Sequence, residues 1–521
     1  MTYFDLVFWL FVVLTLILYY LVPKPAQKYI LLLGSLCFYC FCGIQNLLFI
    51  ITVALVTWTG AYLISRFDQK QNTLLQSDDL TKNDKRIIKS SIQKEKRAVF
   101  WTSLAIPIFI LCITKYLRPI INTIETNDSE LVQSIIIPLG ISFYTFQALG
   151  YLIDVYNGKY VAEKSFPLYL LFISYFPQII QGPISRFDKL GNQFSSGKKF
   201  EAHNIKQGLI IILWGAFKKL AVADRIAPFI NNATGESFGA SGSVALVTVL
   251  LYAIQLYADF SGGIDIALGI SKMFGIELPA NFKRPYFSIS MADFWRRWHI
   301  TLGSWMRDYV FYPLAICKPM RTITGAIKKR SKTFAKVFPA IIGNIVVFLI
   351  IGVWHGAKAT FIVWGLYNGV LLAMSAAFEN KSRLFRQNHK ELVARNSWHV
   401  LCVVRTFLLV LIGYFFDCAY SLKDSLKMIS SLFLNFQFGD LINGTVFEMG
   451  LSKGGMIKLI PAILVIFVVS LLSENGKDII SWINNRKLLF RSFIFSVLLV
   501  AFLFFTANGF NDVGGFMYAI F

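Results

Sequence analysis

The sequence has 521 residues and a formal net charge of +22, yet 56% of its residues are hydrophobic and only 15% are charged. Soluble domains carry about 25% charged residues to cover their surfaces, and disordered chains require low hydrophobicity, so both classes are excluded. The mean hydropathy of +0.58 indicates a protein whose solvent is lipid.

Apolar segments recur along the whole chain. Six runs contain no Asp, Glu, Lys or Arg, at 6–22, 98–114, 243–258, 337–357, 359–378 and 492–511. A helix needs about 20 such residues to cross a ~30 Å hydrocarbon core. Weaker candidates lie near 29–44, 46–64, 135–153, 166–185, 205–222, 398–418 and 459–473. The chain is therefore predicted to be all-α and polytopic, with about eleven to thirteen spans. The first run lacks a basic region before it and a small-residue cleavage site, so we expect a retained span.

The hydrophilic segments predict the orientation. Residues 66–97 carry nine Lys/Arg against five acids, and 318–336 carry seven and no acid, whereas 115–134 and 436–455 each have a net charge of −1. The positive-inside rule places the basic segments in the cytoplasm and both termini outside. Residues 65–97 form the largest insertion, for which we expect a cytoplasmic helix or helical hairpin. Because the basic segments are short and scattered, a nucleic-acid-binding protein is disfavoured.

Motifs of other site classes are weak or missing. The cysteines Cys37, Cys40 and Cys42 form a C-x-x-C-x-C string, but no His or carboxylate is near, so packing is favoured over a metal. The sequence contains no G-x-S-x-G, G-x-x-x-x-G-K-[ST] or H-E-x-x-H motif. No metal site and no bound cofactor are predicted.

Two of the five histidines are candidates for catalysis. His355 stands after Trp354 between two long uncharged runs, flanked by Gly352 and Gly356. Ionisable side chains at membrane depth are costly and are usually functional, although a neutral histidine bonded between helices is the alternative. The second candidate, His299, lies in an aromatic and basic segment.

That segment is predicted to be one helix over 294–309. Its apolar face would carry Trp295, Trp298, His299, Leu302, Trp305 or Met306, and Tyr309, with Arg296, Arg297 and Arg307 largely elsewhere. Two interpretations stay open. The helix either lies on the membrane surface or lines a polar tunnel, where guanidinium groups hold phosphate or pantetheine oxygens.

Two acids end another apolar run. Asp259 and Asp265 follow 243–258, and buried acids need partners. We expect structural ion pairs, for which Arg296, Arg297 or Arg307 are the candidate partners.

At this point the sequence resembles a known family, the membrane-bound O-acyltransferases, and within it the bacterial alginate and peptidoglycan O-acetyltransferases. The matching segments are IPLGISFYTFQALGYLIDVYNG, YFPQIIQGPISRF, LYADFSGGIDIALGISKMFGIELPANFKRPYFS, FWRRWHITLGSWMRDYVFYPL and GVWHGA. They run from residue 137 to about 370, and their joint pattern is highly specific.

The resemblance implies one integral-membrane domain over 1–521, with its core at 137–370, further spans and an extracellular tail at 371–521, and re-entrant helices around a central tunnel. It implies acyl transfer, most simply of acetyl, from a cytoplasmic thioester to a hydroxyl beyond the bacterial inner membrane. The donor would be acetyl-CoA or a phosphopantetheinyl carrier protein. His355 matches the family's essential histidine and His299 its second position. Arg296, Arg297, Arg307, Trp295 and Trp298 are the donor-binding candidates, and Asp259, Asp265 and Trp354 the tunnel candidates.

The C-terminus matches a further family feature. Related enzymes carry, or borrow from a partner, an F-x-Y-x-x-F-like ending whose tyrosine is proposed to hold the acyl group, and this chain ends Phe516-Met517-Tyr518-Ala519-Ile520-Phe521. Tyr518 is therefore a candidate acyl relay, with an aromatic-belt residue as the alternative.

The acceptor within the family is not fixed by these motifs. The 166 residues after His355 favour a polysaccharide O-acetyltransferase with a secreted esterase-fold partner. Teichoic-acid D-alanyl transfer is the alternative within the family. A transporter, or a scaffold for an extracellular transferase, is the alternative from another class.

Overall fold

A computed structural model describes residues 3–76, 79–124, 138–235 and 241–477, with eight single positions between 482 and 496. This part of the chain contains helices and no strands, which confirms the all-α prediction. The candidate span 492–511 and the candidate relay Tyr518 lie mostly or wholly outside the described residues.

The described residues form two compact units. One comprises the residues up to Ile210 together with Ala267–Pro279, and the other comprises Ile211–Ile266 with the residues from Ala280 onward. The prediction of one domain over the full length is not tested by this grouping and stays a prediction.

The first unit is built on long apolar helices. Its elements are α1 (Leu6–Leu21), α2 (Lys24–Phe41), α3 (Gln45–Leu75), α4 (Lys82–Ile124), α5 (Ile141–Tyr156), α6 (Phe166–Ser174), α7 (Phe176–Ile179), α8 (Phe187–Ser196) and the start of α9 (Ala202–Phe217). Their core is aromatic, and the hydroxyl of Tyr3 donates to the carbonyl of Pro177 across 2.9 Å. Both sides of the basic insertion are helical, because α3 and α4 extend into it.

The predicted span at 166–185 is wrong as one helix. The chain leaves helical geometry at Tyr175, where ψ is 107°, and α7 is only four residues long. The physical reason is Pro177, which has no N–H to donate and whose ring would clash with the carbonyl four residues earlier in a continuous helix.

The second unit holds both candidate histidines. Its elements are the end of α9, a π-helical stretch Lys218–Ala223, α10 (Asp224–Ala233), α11 (Gly242–Met273, up to Ile266), α12 (Met291–Arg297), α13 (Ile300–Met306), a second π-helical stretch Arg307–Phe311, α14 (Tyr312–Ile316), α15 (Lys318–Arg330), α16 (Lys332–His355), α17 (Ala359–Ala377), α18 (Glu379–Asn388), α19 (Lys390–Ala394), α20 (Asn396–Cys418), α21 (Leu422–Leu434), α22 (Thr445–Glu448) and α23 (Lys453–Glu474).

Seven helices of the described residues are long and apolar enough to cross a membrane. They are Gln45–Leu75, Lys82–Pro119, Gly242–Met273, Lys332–His355, Ala359–Ala377, Asn396–Cys418 and Lys453–Glu474, and Leu6–Leu21 is a shorter apolar helix. The polytopic architecture is thus confirmed. The count of eleven to thirteen, the sidedness and the central tunnel stay predictions.

Candidate functional site

His299 lies at a break between two short helices. Its φ of 46° and ψ of 51° are left-handed, and Trp298 before it is extended. The left-handed region costs a residue with a side chain roughly 1–2 kcal/mol, although histidine enters it more often than most. The predicted single helix over 294–309 is therefore wrong: α12 ends at Arg297, α13 begins at Ile300, and a π-helical stretch follows from Arg307.

Asn281 explains why the break is stable. This residue is 1% exposed, and its side-chain oxygen accepts from the backbone N–H of Thr301 at 3.0 Å and from the Thr301 hydroxyl at 2.9 Å. Its backbone carbonyl accepts from the N–H of Ile300 at 3.0 Å. The first N–H groups of a helix have no partner within the helix, so Asn281 supplies what the start of α13 lacks.

The same asparagine sets the protonation of His299. A backbone N–H can only donate, so the bond from Thr301 identifies the Asn281 atom that faces it as the oxygen. The ring nitrogen Nδ1 of His299 lies 3.2 Å from that oxygen and must therefore carry a proton to donate. A neutral imidazole carries one proton, which leaves Nε2 as the basic nitrogen.

Burial keeps this imidazole neutral. His299 is 3% exposed, and the removal of the ring from water lowers the pKa of His299 from 6.5 to about 3 because the charged form is the one that loses hydration. At neutral pH the ring is therefore a base and not an acid.

His355 is the last residue of α16, and close helix packing fixes it. A Cβ at Gly352 would lie 2.5 Å from the carbonyl oxygen of Phe361 and 3.2 Å from the Cα of Gly365. Glycines of this kind let neighbouring helices approach closely, here α16 and α17. The His355 ring is buried against Trp364, with ring centroids 4.9 Å apart.

Trp354 joins the two histidines. Its ring lies 5.0 Å from that of His355 and 6.4 Å from that of His299, centroid to centroid. The structure thus brings together two imidazoles that are 56 residues apart in the sequence, with one buried indole between them.

A pocket of about 970 Å³ opens beside His299. The polar and basic side chains that line it are Ser290, Trp295, Arg296, His299, Ser304, Arg307, Tyr312, Asn344, Ser375, Ser382, Arg386, Arg405 and Thr406. The acid in its lining is Glu379. Four arginines against one glutamate give the pocket wall an excess of positive charge, which suits an anionic ligand.

The predicted donor-binding residues divide in two. Trp295, Arg296 and Arg307 line the pocket, whereas Arg297 and Trp298 are not among its lining residues. Arg297 instead bonds Glu474 at 2.7 Å and Asp293 at 3.2 Å, while Trp298 is 3% exposed. Arg386 and Arg405 were missed, because they lie more than 80 residues after His299 and in segments of ordinary basic composition.

The two acids Asp259 and Asp265 form ion pairs, as expected, but with other partners than the arginines named from the sequence. Asp259 pairs with Lys219 at 2.7 Å and Asp265 with Lys218 at 2.6 Å. Both lysines belong to the π-helical stretch after α9. Local sequence gives no sign of this pairing, which depends on the packing of α9 against α11.

No group of three or more His, Cys, Asp or Glu side chains that could hold a metal occurs within the described ranges. The predictions of no metal and no bound cofactor stay predictions.

Comparison with known proteins decides the family. Residues 161–414 match the model of MBOAT, the membrane-bound O-acyltransferase family. The chain is also 30% identical over 470 residues to the "Probable alginate O-acetylase AlgI" of Azotobacter vinelandii, which covers 88% of this chain and 82% of that protein. This chain belongs to the membrane-bound O-acyltransferase family. The resemblance seen in the motifs is thereby confirmed, and the protein is a multi-pass membrane acyltransferase.

Other relatives bear different acceptors in their names. A peptidoglycan O-acetyltransferase of Helicobacter pylori is 33% identical over 324 residues, 57% of each chain. A teichoic acid D-alanyltransferase of Bacillus subtilis is 32% identical over 286 residues, 53% of this chain and 67% of the other. The family model includes both His299 and His355, and we take the region around them as the candidate active site.

Proposed function

We propose that this protein transfers an acetyl group from a cytoplasmic thioester to a hydroxyl of a cell-surface or exported polysaccharide, and that it works in the bacterial inner membrane. The observation that carries the proposal is the pocket of about 970 Å³ in which His299 lies among four arginines. The alginate and peptidoglycan O-acetyltransferases among the relatives support the choice of acetyl and polysaccharide.

The chemistry requires one proton to be moved twice. The acceptor hydroxyl gives its proton to an imidazole, its oxygen forms the ester bond with the acyl carbon, and the carbon–sulfur bond breaks. The imidazolium then returns the proton to the departing thiolate. A general base of this kind contributes about 10²- to 10⁴-fold in rate.

We assign the proton transfers to His355 and His299. Both are buried, at 5% and 3% exposure, and the Asn281 bond leaves Nε2 of His299 basic. A site poor in water also protects the thioester from hydrolysis.

The donor is an anionic thioester, either acetyl-CoA or an acylated phosphopantetheinyl carrier protein. Arg296 and Arg307 are exposed at the pocket, and with Arg386 and Arg405 they supply the guanidinium groups that pair best with phosphate. Tyr518 is proposed as a relay that carries the acetyl group to the acceptor side, where a secreted esterase-fold partner receives it.

The test uses purified protein in liposomes with acetyl-CoA and a polysaccharide whose free hydroxyls accept the acetyl group, and follows the released thiol. We expect turnover in the wild type and in His389→Ala, whose histidine is exposed, and loss of turnover in His355→Ala. Turnover that persists in His355→Ala would refute the mechanism.

The same preparation separates the alternatives. If D-alanine is released from a D-alanyl carrier protein and no thiol is released from acetyl-CoA, the function is D-alanyl transfer and not acetyl transfer. Acetylated glycans in cells that contain only His355→Ala, measured by mass spectrometry, would leave a scaffold or transporter as the function.

A further inference from the structure

Two adjacent lysines lie in the π-helical stretch Lys218–Ala223, away from the pocket. Their side chains are 4% and 2% exposed, an unusual degree of burial for lysine. A π-helical insertion within an α-helix is uncommon and frequently marks a functional site. The proposed mechanism uses neither lysine.

The lysines bond α11 at two points. Lys218 donates to the Ser261 hydroxyl at 2.7 Å and pairs with Asp265 at 2.6 Å. Lys219 pairs with Asp259 at 2.7 Å and with Asp224, at the start of α10, at 2.8 Å. The bonded residues Asp259 and Ser261 stand on either side of Phe260.

Gly215 of α9 and Gly262 of α11 let the two helix backbones approach each other closely, between the positions at which the lysines bond α11. A Cβ at Gly262 would lie 2.8 Å from the carbonyl oxygen of Gly215, and a Cβ at Gly215 would lie 2.5 Å from that of Gly262. The stretch that carries the lysines therefore packs directly on the Gly262 side of α11, and the two lysines straddle the helix there.

Phe260 lies on the opposite side of α11. Successive residues of a helix are 100° apart, so Phe260 is about 160° around the axis from Gly262. There its ring meets the ring of His299 edge-on, with centroids 4.9 Å apart and planes at 86°. Phe260 is fully buried, so any rotation or shift of α11 at this level moves a side chain that supports the imidazole.

We propose that Lys218 and Lys219 are positioning residues for His299, acting through Phe260. Their bonds on either side of Gly262 fix the rotation of α11, and the Phe260 ring transmits that position to the imidazole, whose Nδ1 atom is held by Asn281. The kinetic consequence rests on the proposed function, whereas the effect on the accessibility of His299 does not.

The first variant is Lys218→Met, which keeps the length of the side chain and removes the bonds to Ser261 and Asp265. Asp265 is 21% exposed, so water can hydrate its carboxylate once Lys218 is replaced. Lys219→Met is expected to be more destabilising, because it removes a lysine from the buried carboxylate of Asp259. Lys96→Met is the matched control, because Lys96 is 9% exposed and pairs with an aspartate that is 39% exposed in the other unit.

The first measurement needs no substrate. Diethyl pyrocarbonate modifies neutral imidazoles, and peptide mass spectrometry gives the rate at each histidine, with the exposed His203 and His389 as internal standards. We expect His299 to be modified about fivefold faster in Lys218→Met and at an unchanged rate in Lys96→Met. A fivefold change corresponds to a free energy for exposing the ring that is lower by about 1 kcal/mol. An unchanged rate at His299 in both Lys218→Met and Lys219→Met would overturn the proposal.

The second measurement is thiol release from acetyl-CoA. We expect kcat to fall by about tenfold to 100-fold in Lys218→Met with little change in KM, since a small misplacement of a reacting group has effects of this size. In a Phe260→Leu background Lys218→Met should add little, because the transmitting ring is already gone. Independent, multiplicative effects on kcat in a folded double variant would overturn the transmission through Phe260. If the wild type releases no thiol, the proposed function fails, and the modification rates still decide the positioning role.

Discussion

The bond network of Asn281 makes a quantitative prediction. Asn281→Ala removes the oxygen that accepts from His299 Nδ1, the Thr301 N–H and the Thr301 hydroxyl. Each such bond contributes about 1 kcal/mol net, so the free energy of unfolding should fall by about 3 kcal/mol. The Thr301 N–H, buried at the start of α13, has no replacement acceptor in the new side chain.

The rate of acyl transfer should fall further than stability alone explains. Without the acceptor at Nδ1, His299 is free to place its proton on Nε2, which then has no lone pair for a hydroxyl proton. Loss of a general base costs about 10²- to 10⁴-fold, and we expect kcat for thiol release from acetyl-CoA to fall within that range in Asn281→Ala.

Asn281→Asp is the matched variant. Its carboxylate keeps acceptors toward Nδ1 and Thr301 but adds a negative charge, which favours the imidazolium and raises the pKa of His299 from about 3 by about one to three units. Activity at pH 7 should survive. It should decline as the pH falls through about 4 to 6, where the ring acquires its second proton, while the wild type shows no such limb from His299.

The assay combines pH–rate profiles of thiol release with urea unfolding of the same preparations. If Asn281→Ala retains wild-type kcat while unfolding at lower urea, the asparagine serves the fold alone. If Asn281→Asp shows no decline in activity between about pH 4 and pH 6, the assignment of the His299 proton to Nδ1 is wrong.

Three further outcomes follow from the chain. Tyr518→Phe should abolish transfer to the glycan and leave the melting temperature unchanged; full glycan acetylation would remove the relay. Gly352→Ala places a methyl group 2.5 Å from the Phe361 carbonyl oxygen and should lower the free energy of unfolding by several kcal/mol. The control Gly325→Ala has nothing within 4 Å of its new methyl group and should raise that free energy by up to about 1 kcal/mol. Equal shifts in melting temperature would contradict the close packing of α16 on α17. Because the folded pKa of His299 lies below that of the unfolded chain, unfolding takes up a proton in acid. Stability should therefore fall by about 1.4 kcal/mol per pH unit between about pH 6.5 and about pH 3, and a slope that persists in His299→Gln would assign it to other groups.

The seven long apolar helices of the described residues were predictable because hydrophobic length is read directly from the sequence. Asn396–Cys418 and Lys453–Glu474 contain the weaker candidates 398–418 and 459–473. The span predicted at 166–185 failed for a local reason, since Pro177 breaks a run that is otherwise apolar throughout. Hydropathy measures only how apolar a segment is and does not account for the N–H that Pro177 lacks.

The two candidate histidines could be selected from the sequence, although their catalytic role stays a prediction, whereas the local geometry around them could not be predicted. His355 and His299 stood out through their types and neighbours, but a periodic pattern made 294–309 one helix. The break at His299 is held by Asn281, 18 residues earlier, and by the pairing of the Lys283 N–H with the Arg297 carbonyl at 2.9 Å. Such contacts between segments distant in the sequence outweigh the helical periodicity. A periodicity analysis of residues 294–309 alone cannot detect them.

The positive charge near the histidines has two different uses. Arg297 meets two carboxylates, those of Asp293 and Glu474, and Arg284 meets Glu474 as well at 2.6 Å. The backbone N–H of Lys283 also donates to the carbonyl of Arg297. These bonds hold the segment that carries Asn281 against the segment that carries His299. A bound phosphate would have to displace a carboxylate to reach Arg297.

The pocket arginines are in another situation. Arg296 lies 3.7 Å from Asp293 and is 71% exposed, and Arg307 is 57% exposed beside Asp308. Exposed pairs of this kind are worth at most about 1 kcal/mol, so a multiply charged donor exchanges them at little cost. In the proposed mechanism, Arg296, Arg307, Arg386 and Arg405 of the pocket lining would therefore attract the anionic thioester. Arg297 instead holds Asp293 and Glu474.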